Sequence, residues 1–266
     1  MAEFDSAGVK LHYEVTGRGP ELLLISGLGA SRKSWLPVLP QLSATRTCIT
    51  LDNRGVGRSD VPPGPYTIEQ MAGDVAALLA HLGLGPVPAV GWSMGGVILQ
   101  SLLIDHPDVI SRAVLLSTLP SYTDVQHAWL DGLLALRLAG VSPEVLGASG
   151  IAWGFTPYTL TNHAAVAAAL RLAAEDPEPT SYAGFAAQAA AIRVFDRRAE
   201  LPAVTTPVLV LVGAEDVLTP PSQAAEIAER IPGARLTVLP RGGHGMIVEF
   251  PAPVLAAIEE FLGPAH

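Results

Sequence analysis

Ser93 stands in the run Gly91-Trp92-Ser93-Met94-Gly95-Gly96, the stretch best suited to covalent chemistry. The Gly-x-Ser-x-Gly spacing fits a serine on a strand-to-helix turn so tight that large side chains two positions away would strike the neighbouring backbone. Gly91 and Gly95 remove that collision. The apolar residues 87–90 before it predict a buried strand, and residues 94–105 after it predict a helix. A helix that begins just past Ser93 aims backbone N–H groups, and a partial positive charge, at any oxygen near the serine. Ser93 is therefore a candidate nucleophile and the Met94 N–H a candidate oxyanion donor.

A serine hydroxyl is a poor nucleophile near neutral pH and needs a base to take its proton. Seven histidines are available: His12, His81, His106, His127, His163, His244 and His266. Of these, His244 alone falls in a loop just after a predicted buried strand (235–239), with Gly243 and Gly245 beside it. His81 and His106 end predicted helices, where they complement the negative C-terminal charge. His12 belongs to an edge hairpin, and His127 and His163 fall within 121–200. The base in turn needs a carboxylate to fix its tautomer. The acid expected at the end of strand 207–212 is Glu215 or Asp216. A second oxyanion amide should come from the loop after strand 21–26, where Leu28 sits between Gly27 and Gly29.

These groups need a scaffold that brings strand ends together. Short apolar runs at 21–26, 47–51, 87–90, 113–117, 207–212 and 235–239 alternate with helical patterns at 31–42, 67–82, 94–105, 222–230 and 253–262. Residues 4–15 alternate weakly and read as an edge hairpin. This order predicts an α/β fold, a mostly parallel sheet of the eight-stranded type with helices on both faces. Residues 121–200 hold no comparable strand and are rich in Ala and Leu with breaks of Pro and Gly. They read as a helical cap inserted into a core of 1–120 and 201–266, over the sheet edge where ligands bind in such folds.

Composition narrows the partners. The 266 residues are 49% hydrophobic and only 15% charged, so a large core is expected. A net charge of −9 argues against nucleic acid or an anionic membrane surface. Cys48 is the one cysteine, so no intrachain disulfide can form, and the start Met-Ala-Glu-Phe-Asp-Ser resembles no signal peptide; both suggest a cytoplasmic protein. Residues 82–104 are uncharged, but Pro86, Pro88 and five glycines break them, so no membrane insertion is expected. No H-x-x-x-H or H-E-x-x-H spacing offers a metal site. Gly55-x-Gly57 lacks the third glycine of a dinucleotide fingerprint, and no cofactor is expected.

Over nearly its whole length the chain resembles the α/β-hydrolase fold superfamily. The resemblance rests on Ser26-Gly27-Leu28-Gly29, Asp52-Asn53-Arg54-Gly55-Val56-Gly57-Arg58-Ser59, the run around Ser93, Gly213-Ala214-Glu215-Asp216 and Gly243-His244. More narrowly, the Asp52–Ser59 loop and the setting of Asp216 resemble 3-oxoadipate enol-lactonases and aclacinomycin methylesterases. The resemblance implies Asp216 as the acid and the order Ser93, Asp216, His244. It implies a mainly structural role for Asp52 and Arg54. Many relatives carry His-Gly at the oxyanion loop; here Ser26 stands in place of that His.

The expected substrate pocket is apolar, drawn from Trp92, Trp129, Trp153, Phe155, Tyr158, Val217, Leu218 and Met246. The resulting expectation is a serine esterase or lactonase acting on a small ester, lactone or related carbonyl compound through an acyl-enzyme on Ser93. A homo-oligomer is left open. The same site would also serve a C–C bond hydrolase, or a cofactor-free peroxidase or cyclase. A ligand-binding sensor that keeps the fold is the alternative from another class.

Overall fold

Five of the six parallel strands are apolar and buried along most of their length, because their part of the sheet is covered on both faces; the sixth, Arg235–Leu239, lies at the sheet edge and is largely exposed, not the buried strand expected there. The computed structural model describes residues 2–263, so His266 lies outside the described residues. In chain order the strands are β1 (Ala2–Ser6), β2 (Val9–Thr16), β3 (Glu21–Ile25), β4 (Thr47–Leu51), β5 (Val87–Trp92), β6 (Ile110–Leu116), β7 (Val208–Gly213) and β8 (Arg235–Leu239). They form one sheet in the order β1-β2-β4-β3-β5-β6-β7-β8. Only β1 and β2 run antiparallel to their neighbours. The two residues that join them, Ala7 (φ 51°) and Gly8 (φ 85°), both adopt the left-handed backbone that a tight hairpin requires.

Alternate residues of each central strand face opposite layers. Leu23, Ile25, Ala89, Ala113 and Leu115 pack with α2 (Ile68–His81), α3 (Met94–Asp105) and α9 (Pro221–Arg230). Leu22, Leu24, Val90, Val114 and Leu116 pack with α1 (Leu39–Ser43), α10 (Met246–Glu249) and α11 (Pro251–Leu262). Thr67 starts α2 with a capping box, its hydroxyl accepting from Gln70 N while the Gln70 side chain accepts from Thr67 N.

The helix expected over 31–42 is broken. A 3-10 turn spans Arg32–Trp35, and α1 begins only at Leu39. Pro37 and Pro40 lie in that stretch and cannot donate the backbone hydrogen bonds a continuous helix needs. Strand β6 begins three residues before the expected 113, and α10 was hidden within the loop after β8.

Between β6 and β7 lie five helices: α4 (Asp124–Leu138), α5 (Pro143–Gly154), α6 (Pro157–Leu160), α7 (His163–Ala174) and α8 (Tyr182–Arg193). An antiparallel bridge from Ser121 to Asp196 closes the neck of this insertion. Leu130 of α4 and Phe185 and Ala189 of α8 form a small core of their own, against which Leu28 and Trp129 pack.

Charge fixes the far end of the insertion to the core. Glu178 bonds Lys33 Nζ at 3.0 Å, Arg32 Nη1 at 3.3 Å and Arg58 Nε. Partial burial pushes the Glu178 carboxyl up, but the hydrogen bonds from Lys33 and Arg58 and the Arg32 charge outweigh it and bring the pKa from 4.5 to about 2. A carboxyl depressed on folding contributes its full stabilisation above its ordinary value and loses it as pH falls toward the folded one. Glu178→Gln should therefore lower Tm at pH 7 by about 2–4 °C, the shift expected for about 1 kcal/mol. The gap between variant and wild type should close between pH 4.5 and 2; thermal melts across that range check it.

Candidate active site

Three loops at the C-terminal edge of the sheet meet around Ser93. The residue sits between β5 and α3 with φ 58° and ψ −121°, a backbone rarely adopted by a residue with a side chain. Two contacts require the flanking glycines: a Cβ on Gly91 would lie 2.3 Å from Gly95 O, and one on Gly95 would lie 2.1 Å from Ile25 O. Ser93 N donates to Leu116 O at 3.0 Å, and Thr118 Oγ1 donates to Ser93 O at 2.7 Å.

The loop after β8 carries His244, whose Nε2 is 2.9 Å from Ser93 Oγ. Its Nδ1 is 3.2 Å from Asp216 Oδ2, in the loop after β7. Asp216 is fully buried at its side chain, and its Oδ1 accepts from Leu218 N at 3.0 Å and Thr219 N at 2.8 Å. Burial pushes the Asp216 carboxyl up. The adjacent His244 charge and the hydrogen bonds from His244 and Thr219 outweigh it and hold the carboxyl below its ordinary value. An ionised Asp216 can hold the neutral imidazole of His244 in its Nδ1–H tautomer, with Nε2 facing Ser93 Oγ. Glu215 is exposed and takes no part in this chain of contacts.

The Leu28 loop lies against the serine: a Cβ on Gly27 would stand 3.1 Å from Ser93 Cβ and 3.6 Å from Ser93 Oγ. Leu28 and Met94 border the same small cavity as Ser93. Among the described residues neither the Leu28 N–H nor the Met94 N–H donates a hydrogen bond, so both are free to hold an oxyanion. Ser26 joins a hydroxyl relay: Ser34 Oγ donates to Ser26 Oγ at 3.0 Å, and Ser26 Oγ donates to Ser31 O at 3.1 Å.

Three residues that the sequence reading missed support these loops. Thr219 Oγ1 donates to Asp216 Oδ2 at 2.7 Å and lies 3.0 Å from His244 Nδ1, so it bridges acid and base. Gln188 of α8, fully buried, accepts from Gly29 N at 2.9 Å and donates to Arg54 O at 2.8 Å. Glu249 of α10 accepts from Gly243 N at 2.8 Å and from Thr156 N at 2.7 Å, tying the His244 loop to the insertion. The Asp216-x-x-Thr219 spacing signals a turn, but nothing local shows that its hydroxyl reaches His244. The partners of Gln188 and Glu249 lie 93 to 159 residues away for all but Gly243, beyond any local signal.

A cavity of about 220 Å³ opens onto Ser93 and His244. Trp92, Trp129, Trp153 and Leu218 line it, four of the eight residues expected there. The other four lie elsewhere. Phe155 and Tyr158 line a separate cavity of about 430 Å³ that touches none of Ser93, Asp216 and His244. Tyr158 is 62% exposed, with the Arg241 guanidinium 4.8 Å from its ring centre. Val217 points to solvent at 57% exposure. Met246 is fully buried in a core cluster and does not border the cavity. The larger cavity is therefore set aside as the reaction site: size without the reacting groups carries no chemistry.

The remaining candidates have structural partners. Arg54 pairs with buried Asp74 through Nε–Oδ2 at 2.7 Å and Nη2–Oδ1 at 2.8 Å. Asp52 accepts from Arg32 N and Arg32 Nη1, both at 2.7 Å. His12 lies 3.5 Å from Glu14, His81 stacks on Phe4, and His127 meets the Tyr122 ring edge-on. Burial pushes the Cys48 thiol up to about 11, which keeps it protonated and unreactive. Among the described residues no group of three or more His, Cys, Asp or Glu is placed to hold a metal ion, and no helix is long and apolar enough to cross a membrane.

Comparison with known proteins agrees with this architecture. The family model for the alpha/beta hydrolase fold matches residues 20–251. The candidate non-heme bromoperoxidase BpoC of Mycobacterium tuberculosis is 30% identical, over 95% of this chain and 97% of that protein. The 3-oxoadipate enol-lactonase 2 of Acinetobacter baylyi is 30% identical, over 94% of this chain and 92% of that protein. Among solved structures, a thermophilic esterase from Thermogutta terrifontis, with malate bound, superposes with a TM-score of 0.84 at 30% identity, covering 98% of this chain and 96% of the other.

Thr219→Val keeps the side-chain volume and removes the hydroxyl bridge. One hydrogen bond to a charged pair is worth about 1.5 kcal/mol, so reaction of Ser93 with a fluorophosphonate should slow roughly tenfold. Thr219→Ser should restore most of the rate. Stopped-flow or gel-based labelling rates measure both.

Proposed function

The chain belongs to the α/β-hydrolase fold family, and from that premise we propose that it is a serine hydrolase of carboxylic esters or lactones. The observation that carries the reading is the contact of Ser93 Oγ with His244 Nε2 at 2.9 Å, with His244 Nδ1 in turn on Asp216. Ser93 Oγ attacks the substrate carbonyl carbon while His244 Nε2 takes its proton. The carbonyl oxygen becomes an oxyanion held by the Leu28 and Met94 amides. Collapse breaks the carbon–oxygen bond, and His244 returns its proton to the leaving oxygen. A water molecule then attacks the acyl-enzyme, His244 takes one of its protons, and collapse to the acid returns that proton to Ser93. Asp216 stabilises the imidazolium formed in both halves.

In this reading residues 121–200 form the lid over a core of 1–120 and 201–266. Trp129 and Trp153 from the insertion wall the cavity above Ser93, which supports that assignment. The likeness to BpoC favours a second reading with the same first half, in which hydrogen peroxide intercepts the acyl-enzyme and leaves as a peroxy acid.

Wild-type protein should take a fluorophosphonate label on Ser93 and hydrolyse 4-nitrophenyl esters. Ser93→Ala should lose the label and at least about 10⁴-fold in kcat. Unlabelled but folded wild-type protein overturns the hydrolase reading in favour of a binding role. Peroxide added to the turnover assay separates the two enzymatic readings by the product formed.

A further inference from the structure

Two cavities of very different size meet at Ser93, and they do not share the same catalytic groups. The outer one, about 220 Å³, is bordered by His244 and three indole rings. The inner one, about 20 Å³, is bordered by Met94, Leu119, Tyr122 and Ile192 and does not reach His244. Ser93, Leu28, Trp129 and Leu218 stand between the two and border both.

The chemistry assigns each cavity a part of the substrate. A tetrahedral intermediate at Ser93 has four substituents: the serine oxygen, the oxyanion, the leaving oxygen and the acyl chain. The oxyanion lies at the Leu28 and Met94 amides. The leaving oxygen must receive its proton from His244 Nε2, so its carbon chain extends on the imidazole side, into the outer cavity. The acyl chain is left with the inner one. One water molecule needs about 10–15 Å³ of such space, and the Leu28 and Met94 amides border the same cavity, so its 20 Å³ holds the oxyanion and little more than a methyl group beside it. The walls cannot easily give way: Met94, Leu119 and Ile192 are 0%, 3% and 2% exposed and belong to the main core, and close-packed cores resist added methylenes.

We propose that the site takes acetyl-sized acyl groups from acyclic esters whose alcohol part is large, apolar and preferably aromatic. The proposal rests on the hydrolase reading and narrows it. In a lactone the acyl chain and the leaving oxygen belong to one ring and cannot enter separate cavities, so lactones fit poorly. Trp92, Trp129 and Trp153 supply large apolar walls suited to an aromatic leaving group.

The test is kcat/KM of the full chain on 1-naphthyl acetate, butanoate and octanoate, on methyl acetate and on a δ-lactone. Acetate should exceed butanoate at least tenfold, with octanoate lower still, and naphthyl acetate should exceed methyl acetate. Ile192→Ala should raise the butanoate-to-acetate ratio about tenfold, with Ile192→Val giving a smaller rise in the same direction should the larger truncation fail to fold. Trp153→Ala should weaken the preference for naphthyl over methyl and leave the acyl ratio unchanged. Equal or better turnover of octanoate, faster hydrolysis of the lactone, or an acyl ratio unmoved by either Ile192 variant would overturn the proposal; the last would mark the inner cavity as a water site. Failure of fluorophosphonate labelling at Ser93 would instead sink the hydrolase reading beneath it, whereas labelling with the wrong chain preference would sink the acyl assignment alone.

Discussion

The closeness of α3 to β3 and β5 is the constraint from which the site follows. The Ile25 carbonyl occupies the space where a side chain on Gly95 would begin, and the Gly95 carbonyl does the same to Gly91. Only with both side chains absent can the chain leave β5 and enter α3 within one residue. That residue, Ser93, is left in a backbone region that costs of order 1–3 kcal/mol for anything but glycine. The cost is offset by the hydrogen bonds of Ser93 N to Leu116 O and of the Thr118 hydroxyl to Ser93 O, and by a helix packed against three strands. The result is a hydroxyl standing clear of the sheet at the start of a helix, beside the first unpaired amide of that helix.

The reacting groups on the other loops are held by contacts from outside those loops. Gln188 and Thr180 bond the N–H and C=O of Gly29, so the turn that carries the Leu28 amide is fixed by the insertion. The His244 loop is fixed from two sides: Trp92 Nε1 donates to His244 O at 3.0 Å, and Gly245 N donates to Gly154 O at 2.7 Å. Core and insertion therefore share the task of positioning. Thr219 completes the arrangement by bonding Asp216 and approaching His244 Nδ1 together.

Much of this was legible in the chain. The apolar runs gave the parallel strands within a few residues, since a strand covered on both faces has no polar positions to blur its limits. Ser93, His244 and the pair Glu215 and Asp216 stood out because each follows such a run and has glycine in its turn. Prolines misled where periodicity was followed alone: the pattern over 31–42 looked helical, yet Pro37 and Pro40 divide it. The pocket residues were legible only in half. Nearness in sequence to a reacting group made Val217 and Met246 attractive, but neighbours on a turn point in opposite directions, and one went to solvent and the other to the core.

The sequence by itself determined the fold class and singled out the side chains that meet around Ser93, because both are written in local patterns: hydrophobic period, turn glycines, and residue types with the right chemistry at strand ends. Tertiary structure alone decided which carboxylate faces His244, which residues brace the loops, and how the space around Ser93 is divided between a confined inner cavity and a wide outer one. Those outcomes depend on contacts between residues up to 159 positions apart and on the directions of side chains after packing, and neither quantity has any counterpart in a local run of residues.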